Sequence, residues 1–574
     1  MEPRVSKRER KLHLSYDLPH RLHSAQLYPI PAPNGSTIVI YAHDRGLRLL
    51  WRGGRRRRER SRTNGSAQDQ DIIIIDDDDD EPQLQEELED DEDELDPDCP
   101  YPPITSSVDI DFEAEVLHLA IPALPPLLRK TDALNKYGAV AISLSDGSQR
   151  VITFDLLPPT SAKDYATDVL ARQILLNLSS IPCTGLAAKI ATSSSTEGTS
   201  FLLVAATSDL LRTYRFAIFN DLTNISQDAE TSTLALPHEV RSVTFHPSTT
   251  STLLLLSDTS GAVRICDPFT TPNSEEDGSA EMLGSEDTPK TVGKWLFAFT
   301  TPYTNTSNRD GGGVARARRK QVLASSWVLN GTAILALLED GEWCIWNLAP
   351  TEQTGGNFSE PILRGFLGAS TGTQTKSTSR LAPMTPNTRK TKSENFFAGP
   401  APKVSGGSAA ASCGGLSVVT SSLRANLPDE SVVLWYNGDI YSIPSFQTFW
   451  QRSTNRGGGG GLYAPGLTQV KDVSLMGERV PSVSQFAPTA ASSGVGQMNT
   501  QRDLLVSGEH RFVILQSLRS TTPARGLFQE AGKSAVEKDQ RMLDFGQLDL
   551  GGIERVMDGM ANGEARPRRV GFAR

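Results

Sequence analysis

Short apolar runs rich in Leu, Val and Ile recur along the chain, and residues that favour turns separate them. In the clearest copy, LLLLSDTSGAVRICDP, Leu253 to Leu256 precedes a turn at Asp258 to Gly261 and a second run, Ala262 to Cys266. Two such runs joined by a short turn predict a β-hairpin. The segment VRSVTFHP, from Val240 to Pro247, predicts a third strand immediately before it.

The same hairpin recurs six more times along the chain. The further copies pair Thr37 to Ala42 with Leu47 to Trp51, Ala139 to Leu144 with Arg150 to Asp155, Phe201 to Ala206 with Leu211 to Phe216, Ala333 to Leu338 with Trp343 to Leu348, Val432 to Trp435 with Ile440 to Ile443, and Leu504 to Val506 with Phe512 to Leu515. Asn-Gly and Asp-Gly pairs in these turns predict type I′ geometry, because that turn needs positive φ at both central residues.

Seven similar β units predict a seven-bladed β-propeller, in which each four-stranded blade is covered by its neighbours. The strand LHLSYD, Leu12 to Asp17, precedes the first unit and is expected to complete the last blade, so that the ring closes. Almost no sustained helical periodicity is found before about the last fifty residues. The predicted fold class is therefore all-β.

Seven blades of about 40 to 45 residues need roughly 300 residues, so a large part of the 574-residue chain must form loops and tails. The predicted organisation is a propeller over residues 8–525, a basic and acidic disordered insertion at 52–103, a low-complexity loop at 351–410, and a tail at 526–574 that contains a short amphipathic helix.

Charge is concentrated in two adjoining blocks, although the whole chain carries a formal net charge of −11. Residues 71 to 98 include 17 acidic residues and no basic one, and residues 52 to 62 include seven Arg and one Glu. The rest of the chain is close to neutral. This distribution argues against an extended basic footprint for nucleic acid, and we expect no direct nucleic-acid binding.

Targeting and redox signals lead us to expect that the chain stays inside the cell. The N-terminal MEPRVSKRERK is charged where a secretory signal would be apolar, and no apolar run approaches the roughly 18 residues of a membrane span. The five cysteines lie far apart, without a CxxC pair, and are expected to be small buried residues in a reducing compartment. They are Cys99, Cys183, Cys266, Cys344 and Cys413.

Motifs for catalysis, metal binding and cofactor binding are absent from the sequence. The glycines from Gly457 to Gly461 are not followed by the Lys of a phosphate-binding loop, the eight histidines lack metal-ligand spacing, and no G-x-S-x-G string occurs. His246, before Pro247, is expected to be a structural histidine at the end of an inner strand. We therefore expect no enzyme activity and no cofactor.

The insertion at 52–103 contains two candidate recognition motifs. The arginines of RRRRERSR, Arg55, Arg56, Arg57 and Arg58, form a candidate nuclear localisation signal for importin, or a solvated loop that pairs with the acidic block. In DIIIIDDDDDE, Ile72, Ile73, Ile74 and Ile75 before an acidic string form a candidate SUMO-interacting motif. Such a motif adds a strand to the partner's sheet. The alternative is a chance apolar run without a partner, whose flanking charged residues prevent aggregation.

The tail carries a candidate partner-binding helix. In LDLGGIERVMDGMANG, the residues Ile553, Val556, Met557 and Met560 follow i, i+3, i+4, i+7 spacing and form one apolar stripe. A helix of about ten residues is marginal alone, so the stripe must pack on the propeller or in a groove of a partner. We favour the partner, because a closed ring needs no extra helix and Met side chains suit an adaptable contact.

The hairpins resemble WD40 repeats, with VRICD and CIWN standing where that family usually has Trp-Asp. The opening YDLPHRLHSAQLYPIPAPNGSTIVIYAHDRGLRLLWRGG is similar to the start of fungal members of the nucleoporin-37 family, and EVRSVTFHP with SGAVRICDP is similar to a middle blade of that family. The resemblance implies a seven-bladed WD40-like propeller that serves as a non-catalytic scaffold. It also implies a place in the Y-shaped outer-ring complex of the nuclear pore, docked onto a large helical-and-propeller nucleoporin.

Two rival interpretations remain open from the sequence. One is a WD40 adaptor in another nuclear assembly, in ribosome biogenesis or chromatin. The other is a propeller enzyme with a site in the central channel, which would need clusters of Asp, Glu or His at the inner-strand ends. The resemblance to the nucleoporin-37 family implies a location in the nucleus, at the nuclear pore complex of the nuclear envelope.

Overall fold

A computed structural model describes most of the predicted propeller. The described residues are 1–8, 11–55, 101–124, 132–192, 200–218, 222, 225, 229–270, 293–304, 318–348, 360–367, 412–421, 429–454, 467–486 and 502–517. No helix in these ranges is long and apolar enough to cross a membrane.

The described chain consists mainly of β-strands. The strands are β1 (Arg4–Arg8), β2 (Lys11–Asp17), β3 (Leu22–Leu27), β4 (Thr37–His43), β5 (Gly46–Arg52), β6 (Ile104–Asp111), β7 (Val116–Ala120), β8 (Tyr137–Leu144), β9 (Ser148–Asp155), β10 (Ile174–Leu178), β11 (Gly185–Thr192), β12 (Ser200–Thr207), β13 (Leu210–Ile218), β14 (Glu230–Ala235), β15 (Val240–Phe245), β16 (Leu254–Asp258), β17 (Ala262–Asp267), β18 (Lys294–Thr300), β19 (Val322–Val328), β20 (Ala333–Leu338), β21 (Glu342–Asn347), β22 (Leu363–Phe366), β23 (Gly414–Ser421), β24 (Asp429–Tyr436), β25 (Asp439–Ile443), β26 (Thr468–Val470), β27 (Val483–Gln485), β28 (Leu504–Ser507) and β29 (Arg511–Ser517). The α-helices are α1 (Asp132–Lys136), α2 (Ala162–Ala171) and α3 (Phe446–Thr454), and a 3₁₀ turn spans Leu329–Gly331.

These strands form seven antiparallel sheets, which are the blades of a propeller. Blades 1 to 6 each contain four consecutive strands, from β3–β6 to β23–β26, and blade 7 contains β27, β28, β29, β2 and β1. The seven innermost strands contact one another in sequence and return from β27 to β3, so the ring is closed. The predicted seven-bladed fold is confirmed, and each predicted hairpin is the pair of middle strands of one blade.

Ring closure joins the two ends of the propeller. Strand β2 pairs with β29, with Lys11 opposite Ser517 and Asp17 opposite Arg511. The predicted role of LHLSYD is therefore confirmed. Strand β1 then pairs with β2 as a fifth, outermost strand, which the sequence did not predict.

Side chains link the inner strands of neighbouring blades, which do not pair as a continuous sheet. Gln26 on β3 donates from Nε2 to the Leu119 carbonyl on β7 at 3.0 Å. Gln485 on β27 donates to the Ser417 carbonyl on β23 at 2.9 Å. These bonds fix adjacent blades to each other while satisfying polar groups next to the channel.

The apolar core lies mainly between blades. Trp346 of blade 5 is 1% exposed and packs in one cluster with Ile265, Phe299 and Trp327. The cluster joins blades 4 and 5, and the Phe299 and Trp346 ring centroids are 6.0 Å apart. Trp346 and Ile265 therefore point between these two blades.

The type I′ prediction is correct for one turn and wrong for two others. Asn437 and Gly438 both have positive φ, 48° and 95°. In the Asp146-Gly147 and Asp340-Gly341 turns, only the glycine has positive φ. There the glycine N–H donates to Leu144 or Leu338, which is the three-residue hairpin loop of a type I turn followed by a left-handed residue.

Helices α2 and α3, which precede the tail, and strand β22 contradict expectations from the sequence. Helix α2 lies well before the tail: Ser161 caps its N-terminus, and Tyr165 packs edge-on against Trp51 with ring centroids 5.7 Å apart. Strand β22 lies inside the range 351–410, which was expected to be a loop, and forms the outer strand of blade 5. The expected burial of the cysteines is confirmed for Cys183, Cys266 and Cys344, while Cys413 is half-buried and Cys99 lies outside the described residues.

Candidate functional site

Most of the candidate recognition residues lie outside the described ranges. This applies to Ile72, Ile73, Ile74 and Ile75 of the SUMO-type motif, to Arg56, Arg57 and Arg58 of the basic run, and to Ile553, Val556, Met557 and Met560 of the tail. Arg55 is described: it is exposed, and its N–H donates to the Asn34 carbonyl at 2.8 Å. The candidate site is therefore built from the described residues next to these segments.

Three described side chains meet at one corner of the propeller, between blades 7 and 1. Arg52, at the end of β5, donates from Nη2 to Gln516 Oε1 of β29 at 2.9 Å. The Arg52 guanidinium also lies 5.2 Å from the centroid of the Phe486 ring. We call Arg52, Phe486 and Gln516 the exit corner, because each precedes an undescribed segment, residues 56–100, 487–501 and 518–574 respectively.

The exit corner holds a buried cation. Arg52 is 6% exposed, and this burial lowers the pKa of its guanidinium, although nearby Tyr16 and Asp503 act in the opposite direction. Asp503 also accepts a hydrogen bond from the Ser517 N–H at 2.8 Å. The corner therefore holds Arg52 and Ser517, the strand ends that precede the 56–100 and 518–574 segments, in the same part of the ring.

The face formed by the hairpin turns carries charges that neutralise each other locally. Arg264 Nε donates to Asp258 at 3.0 Å, and Arg511 Nε donates to Glu478 at 2.7 Å. The Lys320 Nζ lies 2.6 Å from the Asp340 Oδ2. Paired charges of this kind fix the turns and give little long-range field of one sign.

A cluster of histidines and carboxylates at blade 1 has the composition of a metal site. His20 and His43 are stacked, with centroids 4.6 Å apart and planes inclined by 16°. The His43 Nδ1 accepts the Arg45 N–H at 3.2 Å, so Nε2 carries the proton and donates to Asp109 at 2.9 Å. Asp44 lies 3.5 Å from the His20 Nδ1.

The geometry of this cluster does not suit a metal ion. A ring nitrogen binds a metal in its own plane at about 2.0 Å, and two nearly parallel, stacked rings do not share such a point. Both His43 nitrogens are also already hydrogen-bonded. The cluster is therefore a packed polar network. Burial raises the pKa of Asp109, but the hydrogen bond from His43 and the charge of Arg48 outweigh burial and lower that pKa overall.

His246 has a structural role, as predicted. Its Nδ1 accepts the Ser248 N–H at 3.1 Å, and its ring packs edge-on against Trp327, with centroids 4.7 Å apart. Burial, with the nearby Lys189 charge, lowers the pKa of His246. Lys189, which the sequence did not single out, is 2% exposed and donates to the carbonyls of His246, Ser248 and Ser251.

The sequence did not identify the exit corner either. Arg52 belongs to the basic run by composition, but it is the last residue of a strand and is buried, unlike Arg55. A signal was present in its position directly after the apolar run Leu47 to Trp51. Its partner, Gln516, lies 464 residues away, and no local pattern predicts that contact.

The closed ring, its hairpin turns and its inter-blade core define a seven-bladed WD40-like β-propeller. Residues 15–515 match the family described as the nucleoporin NUP37 N-terminal domain, so the chain belongs to the NUP37 family of nucleoporins. A protein of Chaetomium thermophilum named nucleoporin NUP37 is 26% identical over 605 aligned positions, which cover 89% of this chain and 78% of the relative. The resemblance in the sequence is thereby confirmed.

Proposed function

We propose that the protein is a non-catalytic structural subunit of the Y-shaped outer-ring complex of the nuclear pore. In this role it supports transport of protein and mRNA between nucleus and cytoplasm, and it resides at the nuclear envelope. The observation that carries the proposal is the family match over residues 15–515, which covers nearly the whole closed ring from β2 to β29.

The geometry of the described residues supports a role in docking. A closed ring fixes its segments in space, and at the exit corner the described residues that precede the insertion and the tail lie together. Segments tethered at one point have a high effective concentration for neighbouring sites on one partner. The proposed partner is a large helical-and-propeller nucleoporin of the Y complex, and the tail stripe is the proposed anchor.

The two motifs of the insertion have proposed partners of their own. Arg55 to Arg58 would bind importin as an extended cationic segment, and the exposed position of Arg55 is compatible with that role. Ile72 to Ile75 would add a strand to SUMO, with the following carboxylates against its basic rim. Alanine substitution of each group should abolish binding of the corresponding partner, whereas substitution of Leu84 and Leu88 should leave both interactions intact.

The test of the proposed function is affinity purification of the full chain from nuclear extract, followed by mass spectrometry. Y-complex nucleoporins should be the main co-purified proteins. Recovery of ribosome-biogenesis or chromatin factors in their place would contradict the proposal.

The role of the tail is tested with chains truncated after Gln529. We expect truncation to weaken binding to the Y-complex partner and to leave thermal stability unchanged. Alanine at Ile553 and Met557, on the apolar stripe, should reproduce the loss; alanine at Glu554 and Asp558, off the stripe, should not. Lower stability with unchanged affinity would show that the tail packs on the propeller.

A further inference from the structure

Strand β1 is an open, basic edge of blade 7. It is the terminal strand of its sheet, and all five of its residues are exposed. An edge strand presents backbone N–H and C=O groups that can pair with another strand. Three of its residues, Arg4, Lys7 and Arg8, are cations.

The cations are arranged along the length of the strand. By register, Arg4 and Arg8 share the face of β2 that carries Ser15 and Lys11, while Lys7 lies on the other face, opposite Leu12. Arg4 pairs with Asp17 at 2.8 Å, although both side chains remain largely exposed. Within the described ranges, Lys7 forms no ion pair. We call β1 with Lys11 the basic edge.

The basic edge begins beside the exit corner. Arg8 is opposite Lys11, Lys11 is opposite Ser517, and the preceding residue, Gln516, accepts the hydrogen bond from Arg52. Neighbouring strands lie about 4.8 Å apart, so β1 is roughly 10 Å from β29. Arg52, the last strand residue before the 56–100 segment, therefore contacts the sheet whose outermost strand is β1.

That segment contains a sequence of complementary charge and suitable length. Residues 71–81, DIIIIDDDDDE, combine four isoleucines with seven acidic residues. The chain from Arg55 to Asp71 can extend over roughly 50 Å, which is more than the distance to the basic edge requires. Tethering so near a site gives a high effective concentration.

We infer that the acidic segment Asp71 to Glu81 of this chain pairs with the basic edge β1 as an added strand. Backbone bonds along β1 supply the pairing, and Arg4, Lys7 and Arg8 hold the carboxylates of Asp76 to Glu81. If the same isoleucines bind SUMO as proposed above, the basic edge competes with SUMO for them. The inference itself does not depend on the proposed function.

Protection of the sheet edge alone is a simpler explanation for cations on β1, because charged edge residues discourage pairing between copies. Protection of the edge does not require an acidic segment that follows the exit corner in the sequence. The same cations that repel the β1 strand of another copy attract an acidic strand, so edge protection does not prevent such a strand from binding. The two explanations therefore differ in one measurable property, the contact between Lys7 and the acidic segment.

The experiment is zero-length carbodiimide cross-linking of the full chain, which joins an amine to a carboxylate in direct contact, followed by mass spectrometry. We expect Lys7 to be linked to residues 76–81, with a yield that falls several-fold as salt is raised to about 0.5 M. In R4Q/R8Q, Lys7 remains available but the neighbouring cations are removed, so the yield should fall similarly. R241Q is the matched control, because Arg241 is an exposed arginine of blade 4. This variant should leave the yield of the Lys7 cross-link unchanged.

Several outcomes would overturn the inference. These are absence of the Lys7 link, an equal yield for Lys163 of α2, or an R4Q/R8Q yield equal to that of the wild type. Mixing isotopically light and heavy chains identifies contacts between two copies. Links found mainly between light and heavy chains would assign the edge to a second copy, and would also contradict the inference.

Discussion

At the scale of single residues, Glu430 stabilises the most constrained turn of the described chain. Its carboxylate, 5% exposed, accepts the N–H groups of Leu329 and Asn330, each at 2.7 Å. These two residues and Gly331 all have positive φ, 53°, 55° and 91°. A non-glycine residue in that region costs about 1 kcal/mol or more and persists only where its surroundings fix it.

Glu430→Ala should lower the free energy of unfolding by about 2 to 4 kcal/mol, because two buried N–H groups lose their acceptor and the strained turn loses its support. Urea titration measures the change. Glu430→Gln keeps one acceptor oxygen, so its loss should be clearly smaller. Equal losses for the two variants would show that packing, rather than hydrogen bonding, supports the turn.

The charge of Glu430 also predicts a pH dependence. Burial raises the pKa of this carboxyl above its ordinary value of 4.5, although the N–H groups of Asn330 and Leu329 partly oppose the shift. The folded protein then keeps a proton that the unfolded chain has released. This contribution to stability is full below pH 4.5 and is lost as the pH rises through the folded pKa.

Wild type should therefore lose stability relative to Glu430→Gln as the pH is raised from about 4.5 to neutral. Urea titrations of both proteins across that range measure the difference. A difference that stays constant, or that moves in favour of the wild type, would contradict the prediction.

At the scale of elements, the sequence predicted what local chemistry determines. Each middle hairpin combines two apolar strands with a turn of two or three polar residues, so its signal is contained in about fifteen residues. The outer strands have no comparable signal: β18 and β22 leave Phe297 and Phe366 largely exposed. Helix α2 was missed because its apolar face has just two buried residues, Tyr165 and Val169.

The exit corner and the basic edge could not be predicted for a different reason. Arg52 meets Gln516, and β1 reaches the last strand of the chain through β2, only once the ring has closed. Such contacts depend on topology and leave no periodic pattern in either segment. The motifs of the insertion, in contrast, were visible in the sequence because they rest on composition.

The contact between blades 4 and 5 gives a prediction at this scale. Trp346→Ala should lower the free energy of unfolding by about 3 to 5 kcal/mol, because it leaves a cavity between two sheets that the backbone cannot close. Differential scanning calorimetry or urea titration measures the loss. Trp343→Ala, at a half-buried position facing blade 6, is the control and should cost less. Wild-type stability in Trp346→Ala would contradict the packing described here.

At the scale of the whole molecule, stability depends on closure of the ring. Deletion of residues 1–8 removes β1 and leaves the β2–β29 pairing, so it should change the melting temperature little. Deletion of residues 1–17 also removes the buried Leu12, Leu14 and Tyr16 and exposes the edge of β29. We expect that chain to melt at a much lower temperature or to aggregate. Similar melting of the two deletions would show that the ring does not need β2.

The insertion provides the last prediction, because its contribution to the ring can be separated from that of Arg52. Replacing residues 56–100 with a short Gly-Ser linker keeps the Arg52 contact with Gln516 and the Gly53 N–H bond to Pro103 at 2.7 Å. A charge-rich segment buries little apolar surface, and a shorter loop costs slightly less entropy to close. The folded ring should therefore be unchanged or up to about 2 kcal/mol more stable.

The matched control for this deletion is Arg52→Ala in the full chain. It leaves the insertion in place but removes a buried cation that contacts Phe486 and Gln516, so it should cost about 1 to 3 kcal/mol. The predicted order of thermal stability is the linker variant at or above the wild type, with Arg52→Ala below both. A linker variant less stable than Arg52→Ala would show that the insertion is part of the core, and that the exit corner is not the boundary of the folded ring.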